Sequence, residues 1–453
     1  MDENAMLSEE EKLELSQDFS FWSLMKFVFP SIFTFVFIAI YQMVDGMFIE
    51  KFVDDLAISA INLYYPVICL FIALGIMLGT GGNAVMVKKL GEGKHDEANV
   101  SFSSAIIFSV VLGVLLTAIC LIFAEPIMRA CGATDVNIGY LRPYYYTLST
   151  FSIAIILQSE LGILIIGEGK SVVAAVVIMI GGVLNCVLDY VFMKFFGMGI
   201  MGAALATIIG YLCTVIYAVY FYFIAKKSVY KFKFVVPKFK EIGFICYNGS
   251  SDMISNMVGG VSALIMNHLA LKFYGEEGQS ALSVALYLNF FLEAVFMGLT
   301  SAVEPIFSFH YGSGNVEMRK KIFKLSNIWI LILSVLLFLG AFFFAGPLVE
   351  IFFDKGTRIY DITYLAFRVS VYACFFLGFN TFYSGLFTAF SNGFISALLS
   401  IIRTLVVLIA CLYACSALFD GFGLWLALPV SEAISLLVCM IFIIKYRKKY
   451  EYW

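Results

Sequence analysis

Asp189 follows Asn185 by four residues inside the apolar stretch 172–193, and a second acid, Asp45, lies near the end of the apolar stretch 24–48. Residues four apart on a helix share a face, roughly 6 Å from one another. An ionisable group within a long apolar stretch is costly to keep and marks a partner, a cavity or an ion path. Thr207 opens the following apolar stretch, 200–225. Read as spans, the three stretches bring four oxygen-bearing side chains to similar depth. Such a set suits a hard cation or a proton held by a carboxylate. Asn185 or Thr207 alone would fit plain hydrogen bonding between helices; the two acids carry the functional reading.

The elements that must position these residues follow from composition. The chain has 453 residues, 62% of them hydrophobic and only 13% charged, with mean hydropathy +0.95. Apolar stretches long enough to cross a bilayer recur along almost its whole length. Twelve are expected: 24–48, 57–87, 100–123, 139–166, 171–196, 200–225, 242–272, 281–309, 320–345, 360–390, 395–417 and 423–445. The fold class is an all-α polytopic membrane protein. The acidic segment 1–20 has no basic stretch of the kind that opens a signal peptide. With both termini cytoplasmic, twenty lysines and arginines fall inside and seven outside, which is the positive-inside pattern. The net charge of −3 makes the basic stretches orientation signals and lipid-headgroup contacts rather than a nucleic-acid surface.

The chain repeats itself at a spacing of about 221 residues. Gly91-Glu92-Gly93 corresponds to Gly312-Ser313-Gly314, and Gly202 and Ala206 correspond to Gly423 and Ala427. Gly167-Glu168-Gly169 corresponds to Ser391-Asn392-Gly393 with a shift of three. The expected organisation is a tail (1–20), an N-terminal lobe (21–225), a basic linker (226–241), a C-terminal lobe (242–445) and a short tail (446–453). Six spans per half give both halves the same topology, so a pseudo-two-fold axis runs along the membrane normal. Duplication of this kind favours a transporter over a receptor or an enzyme.

The second half carries its own polar groups: Asp252, Asn256, Asn267, Glu293, Glu304, Arg368, Asn380, Arg403 and Glu432. Asp252, Glu293, Glu304 and Arg368 are candidates for substrate contact or secondary coupling, and Arg368 and Arg403 for pairing with the acids. Glu160 is expected to line a vestibule. The run Tyr144-Tyr145-Tyr146 reads as an interfacial aromatic belt. Pro30, Pro66, Pro305 and Pro429 lie in or beside spans and can kink them. Nine of the ten cysteines sit singly in apolar stretches, and the three histidines are far apart, so neither type suggests a metal centre. The chain contains no GxxxxGK[ST] phosphate loop and no hydrolytic constellation. No cofactor is expected, and an ion gradient is the available energy source.

These motifs resemble the multidrug and toxic compound extrusion (MATE) family over about residues 20–445. The resemblance rests on Gln42-Met43-Val44-Asp45-Gly46, Gly91-Glu92-Gly93, Gly167-Glu168-Gly169-Lys170, Asn185-Cys186-Val187-Leu188-Asp189 and Gly202-Ala203-Ala204-Leu205-Ala206-Thr207, in that order. It implies an antiporter that exports organic, often cationic, compounds against Na+ or H+. It also implies a bacterial cytoplasmic membrane, small-molecule partners and a monomer. The positions matching the family's N-lobe cation site are Asp45, Asn185, Asp189 and Thr207, which would be the Na+ ligands if sodium is the coupling ion. One departure is Ile165-Ile166, where many relatives carry an arginine. The rivals are a lipid-linked oligosaccharide flippase and a non-transport membrane protein. The residues do not choose between Na+ and H+.

Overall fold

The computed structural model describes residues 14–52, 55–135, 137–225 and 228–453, with the side chains of 46–62 outside the description. In a bilayer a chain this apolar satisfies its backbone by helix or by closed barrel, and among the described residues it contains no strand. The first half runs α1 (Phe21–Phe52), α2 (Asp55–Gly91), α3 (His95–Ile122), α4 (Ala124–Ala130), α5 (Ile138–Thr150), α6 (Ser152–Gly167), α7 (Ser171–Tyr190) and α8 (Gly199–Val219). The second runs α9 (Phe239–Tyr274), α10 (Glu276–Gly312), α11 (Val316–Phe343), α12 (Ala345–Glu350), α13 (Arg358–Ser370), α14 (Cys374–Ala389), α15 (Gly393–Ile401) and α16 (Leu408–Tyr450).

Ten helical stretches are long and apolar enough to span, and α5 with α6, bent by 53°, makes an eleventh. The stretch Gly393–Tyr450 is two spans, because Phe419 and Asp420 leave helical geometry and Asp420 has φ +50°. Twelve spans result. Short π-helical turns, Val191–Phe195, Tyr220–Ile224 and Ile402–Val407, interrupt or end three of them.

The repeat is visible element by element. The same spacing of 221 residues separates Asp55 from Glu276, and both ends of α3 from both ends of α11. The lobes meet through related contacts: α1 packs on α10, α2 on its repeat mate's neighbour α9, and α2 on α10 near the axis. Glycines make the closest approaches. A Cβ on Gly91 would collide with the Phe309 carbonyl, and a Cβ on its mate Gly312 with the Lys88 carbonyl. Gly81 abuts the Ile245 carbonyl and Gly249 the Met77 carbonyl, while Gly298 rests against Ile32. All these approaches between the lobes fall in the half of the molecule that carries the termini. In the far half, Tyr65 of α2 and Tyr287 of α10 are exposed.

The segment preceding α1 helps to close the termini end. Leu15 and Phe19 are fully buried with residues of the second lobe. The Trp329 indole donates to the Phe21 carbonyl at 3.0 Å and stacks on the Phe21 ring at 4.3 Å.

Candidate cation site in the N-terminal lobe

Three helices build the site, and small residues let them approach. Gly181 of α7 and Gly210 of α8 face each other: a Cβ on either would come within 2.8 Å of the other's carbonyl oxygen. That crossing sets Asn185 one turn from Gly181 and opposite Thr207. The Asn185 amide donates to the Thr207 hydroxyl at 3.4 Å, and that hydroxyl donates to the Ala203 carbonyl at 3.0 Å. Gly182, on the adjoining face, admits the rings of Phe37 and Tyr41 from α1; a Cβ there would stand only 2.7 Å from the Phe37 ring. α1 is thereby held where Asp45 faces Asp189. All four residues lie in the far half of the bundle.

The carboxylates are poorly served by the protein. Asp189 is 0% exposed. Among the described residues, neither of its oxygens has a hydrogen-bond donor, nor does Asp45 Oδ1. Two ionised carboxylates facing each other repel, and a shared proton or a cation held by both removes the repulsion. The orphaned oxygens therefore fit a proton or a small hard cation, with Asn185 and Thr207 as neutral oxygen donors. Among the described residues no cluster of three or more His, Cys, Asp or Glu side chains offers a transition-metal site. Beside the acids opens a cleft of about 460 Å³ lined by Tyr41, Gln42, Gln158, Tyr211, Thr214 and the exposed edge of Asp45, among others. Of these wall residues, sequence reasoning singles out Asp45 as a site residue and quotes Gln42 only within a motif. Tyr41 and Gln42 were findable one turn before Asp45, whereas Tyr211 and Thr214 needed the α7–α8 crossing.

The same place in the other lobe carries no acid. At the repeat spacing Asp45 corresponds to Met266 and Thr207 to Leu428. Both line a small cavity with Leu282, Leu424 and Trp425, whose polar groups, Asn289 and Ser370, hydrogen-bond each other at 3.0 Å. The acid pair thus occurs in one lobe only.

The remaining candidates fall into separate places. Asp252 lies three residues beyond Gly249, at the α2–α9 crossing, where it faces Thr80 of the first lobe and Glu304 of α10. Arg403, on the third π-helical turn, donates to Glu432 Oε1 at 3.0 Å and Oε2 at 3.1 Å and to the Thr381 hydroxyl at 3.2 Å. Its Nη2 stands 3.6 Å from Glu293. Asn380 completes the cluster by donating to Glu432 Oε2 at 2.7 Å. Among the described residues, Arg368 pairs with no acid. Its guanidinium sits 3.7 Å above the Phe342 ring and donates to the Tyr364 hydroxyl at 2.8 Å.

Two expectations are corrected. Glu160 lines no vestibule: it is fully buried on α6, facing Ser109 of α3. The tyrosine run is not one belt. Tyr145 is buried and donates to the Cys120 carbonyl at 2.9 Å, Tyr144 packs edge-on to Tyr64, and Tyr146 is exposed.

A duplicated twelve-span membrane protein, with a buried acid pair in one lobe and an acid-free counterpart in the other, is the class that fold and site define. The MatE family model matches residues 30–191 and again 253–413, once in each half. The chain belongs to the MatE family. It is 24% identical over 427 residues to the multidrug export protein MepA of Staphylococcus saprophyticus, covering 93% of each chain. It is also 24% identical to a Shewanella oneidensis FAD transporter, covering 88% of this chain and 89% of that one. Among solved structures, it superposes on an outward-facing multidrug resistance MATE transporter with TM-score 0.92 at 20% identity, covering 97% of this chain and 99% of that one. A MOP superfamily transporter from Pyrococcus furiosus, described as having a binding pocket of reversed polarity, superposes with TM-score 0.89 at 20% identity over the same shares.

Proposed function

We propose that this protein is a cation-coupled antiporter that exports organic cationic or amphipathic compounds across the bacterial cytoplasmic membrane, with both termini in the cytoplasm. The observation that carries the reading is that Asp189, fully buried with no donor to either oxygen among the described residues, faces the second acid, Asp45. A proton or Na+ neutralises the pair and tightens α1 against α7 and α8; its loss loosens them. A ligand shifts a two-state equilibrium only by its difference in affinity for the two states, and α1 is well placed to transmit one because it also packs along α10 of the other lobe. Close packing of the lobes at the termini end supports an outward-facing state. From it the drug leaves and the cation enters. Similarity to a protein named for multidrug export supports the substrate class.

The test is ethidium efflux from proteoliposomes under an imposed Na+ gradient and, separately, a pH gradient. One gradient should drive efflux, and Asp189→Asn should abolish it. Efflux that persists in folded Asp189→Asn and Asp45→Asn proteins would refute the coupling role. Movement of flavin adenine dinucleotide and not ethidium would assign the chain the substrate of its Shewanella relative. Movement of lipid-linked oligosaccharide alone would assign the flippase reading.

A further inference from the structure

The segment that joins the lobes is bound to the first of them in an orderly way. Between Ser228 and Lys238 it is not helical, and its alternate amides are each received by a side chain. Val229 N–H donates to Glu168 Oε2 at 3.1 Å, Lys231 N–H to Asn99 Oδ1 at 2.8 Å and Lys233 N–H to Ser103 Oγ at 2.8 Å. An extended chain sends successive side chains to opposite sides. Tyr230 is accordingly buried, stacked 5.3 Å from Phe102, and Phe232 packs on Phe223, while Lys231 and Lys233 point away.

Beyond Lys233 the strap stops burying its apolar residues. Phe234 is 96% exposed, Val236 89% and Phe239 91%. They alternate with Lys231, Lys233, Lys238 and Lys240. Lys233 pairs with Asp96 at the surface, an interaction of little worth in water. Lys231, Lys238 and Lys240 make no salt bridge among the described residues. The nearby Glu241 is already engaged by Lys89 at 2.6 Å. The strap begins just past one span end, Ile224, and finishes at the start of another, Phe239, so it lies where membrane meets water. Exposed phenylalanine among unpaired lysines at that depth matches acyl-chain boundary and anionic headgroup together.

We propose that the inter-lobe strap is a membrane-interface anchor that docks on anionic phospholipid headgroups, with Phe234, Val236 and Phe239 seated at the acyl boundary. It rests on the membrane-spanning fold and is independent of the coupling ion. Bound to the first lobe on one side and to the leaflet on the other, the strap fixes that lobe in the bilayer while the second lobe moves.

The test is hydrogen exchange of the Phe234, Val235, Val236 and Lys238 amides in vesicles. Phosphatidylcholine alone is compared with phosphatidylcholine and phosphatidylglycerol in equal parts. Exchange should slow by about tenfold with the anionic lipid. The slowing should vanish in 0.5 M salt, on the order of a 4 Å Debye length, and in the variant Lys231→Gln/Lys238→Gln/Lys240→Gln. Unchanged α3 exchange shows that this variant is folded. Equal exchange in both lipids, slowing that survives the triple substitution, or equal slowing by soluble glycerol phosphate would each overturn the proposal.

Discussion

Asp189 owes its orphaned carboxylate to an arrangement in which α1, α7 and α8 supply oxygens but no cationic partner. Replacing it with asparagine removes the charge and keeps the shape. The Asp189→Asn protein should therefore unfold within a few degrees of wild type in a thermal scan, while ion-driven efflux falls to the leak. The opposite holds for Arg403. Its Glu432 partner is only 6% exposed, so Arg403→Met should cost about 3–5 kcal/mol in denaturant unfolding by leaving a buried charge unpaired. Adding Glu432→Met should recover most of that loss. The four N-lobe residues are legible because i and i+4 spacing and depth along a span are properties of the chain itself. Glu160 escapes such reasoning because depth is not orientation. Its surroundings come from other elements, Ser109 of α3 among them, and no local pattern announces them.

At the scale of elements, glycine pairs do what side chains do in soluble cores. Gly181→Val should force α7 from α8, because even a Cβ there meets the Gly210 carbonyl at 2.8 Å. Overpacking of this kind costs about 1–3 kcal/mol, read as a lower denaturation midpoint together with weaker coupling. The strap offers a second test. Glu168 lies outside the spans and is buried beneath Ser228 and Val229, and burial pushes its carboxyl from 4.5 up to about 7. The docked strap thus holds a proton that an undocked one releases. Docking is favoured at low pH, weakens as pH rises from about 4.5 to 7, and levels off above that. Corrected for intrinsic rates, the Val229 amide should exchange about tenfold faster at pH 8 than at pH 6, and Glu168→Gln should remove the dependence. Span number and order are readable from hydropathy. The 53° bend within the fourth span and the reversal at Asp420 are not, since both depend on backbone angles that apolar composition leaves free.

At the scale of the whole molecule, the close glycine approaches between the lobes among the described residues lie at the end bearing the termini. Gly91→Leu or Gly312→Leu should part them there, and amide exchange in the last turns of α2 and α10 should rise well above wild type. The duplication is legible from glycine spacing; the loss of the site from one copy emerges only when Met266 and Leu428 are seen lining its counterpart. The reversal at Phe419 and Asp420 turns the eleventh and twelfth spans into one hairpin, with Arg403 and Glu432 on its two arms. An arginine within a span is costly to leave unpaired. Here its neutralising carboxylate lies on the very next span of the chain, so the charge pair closes within one local unit and calls on no distant part of the fold.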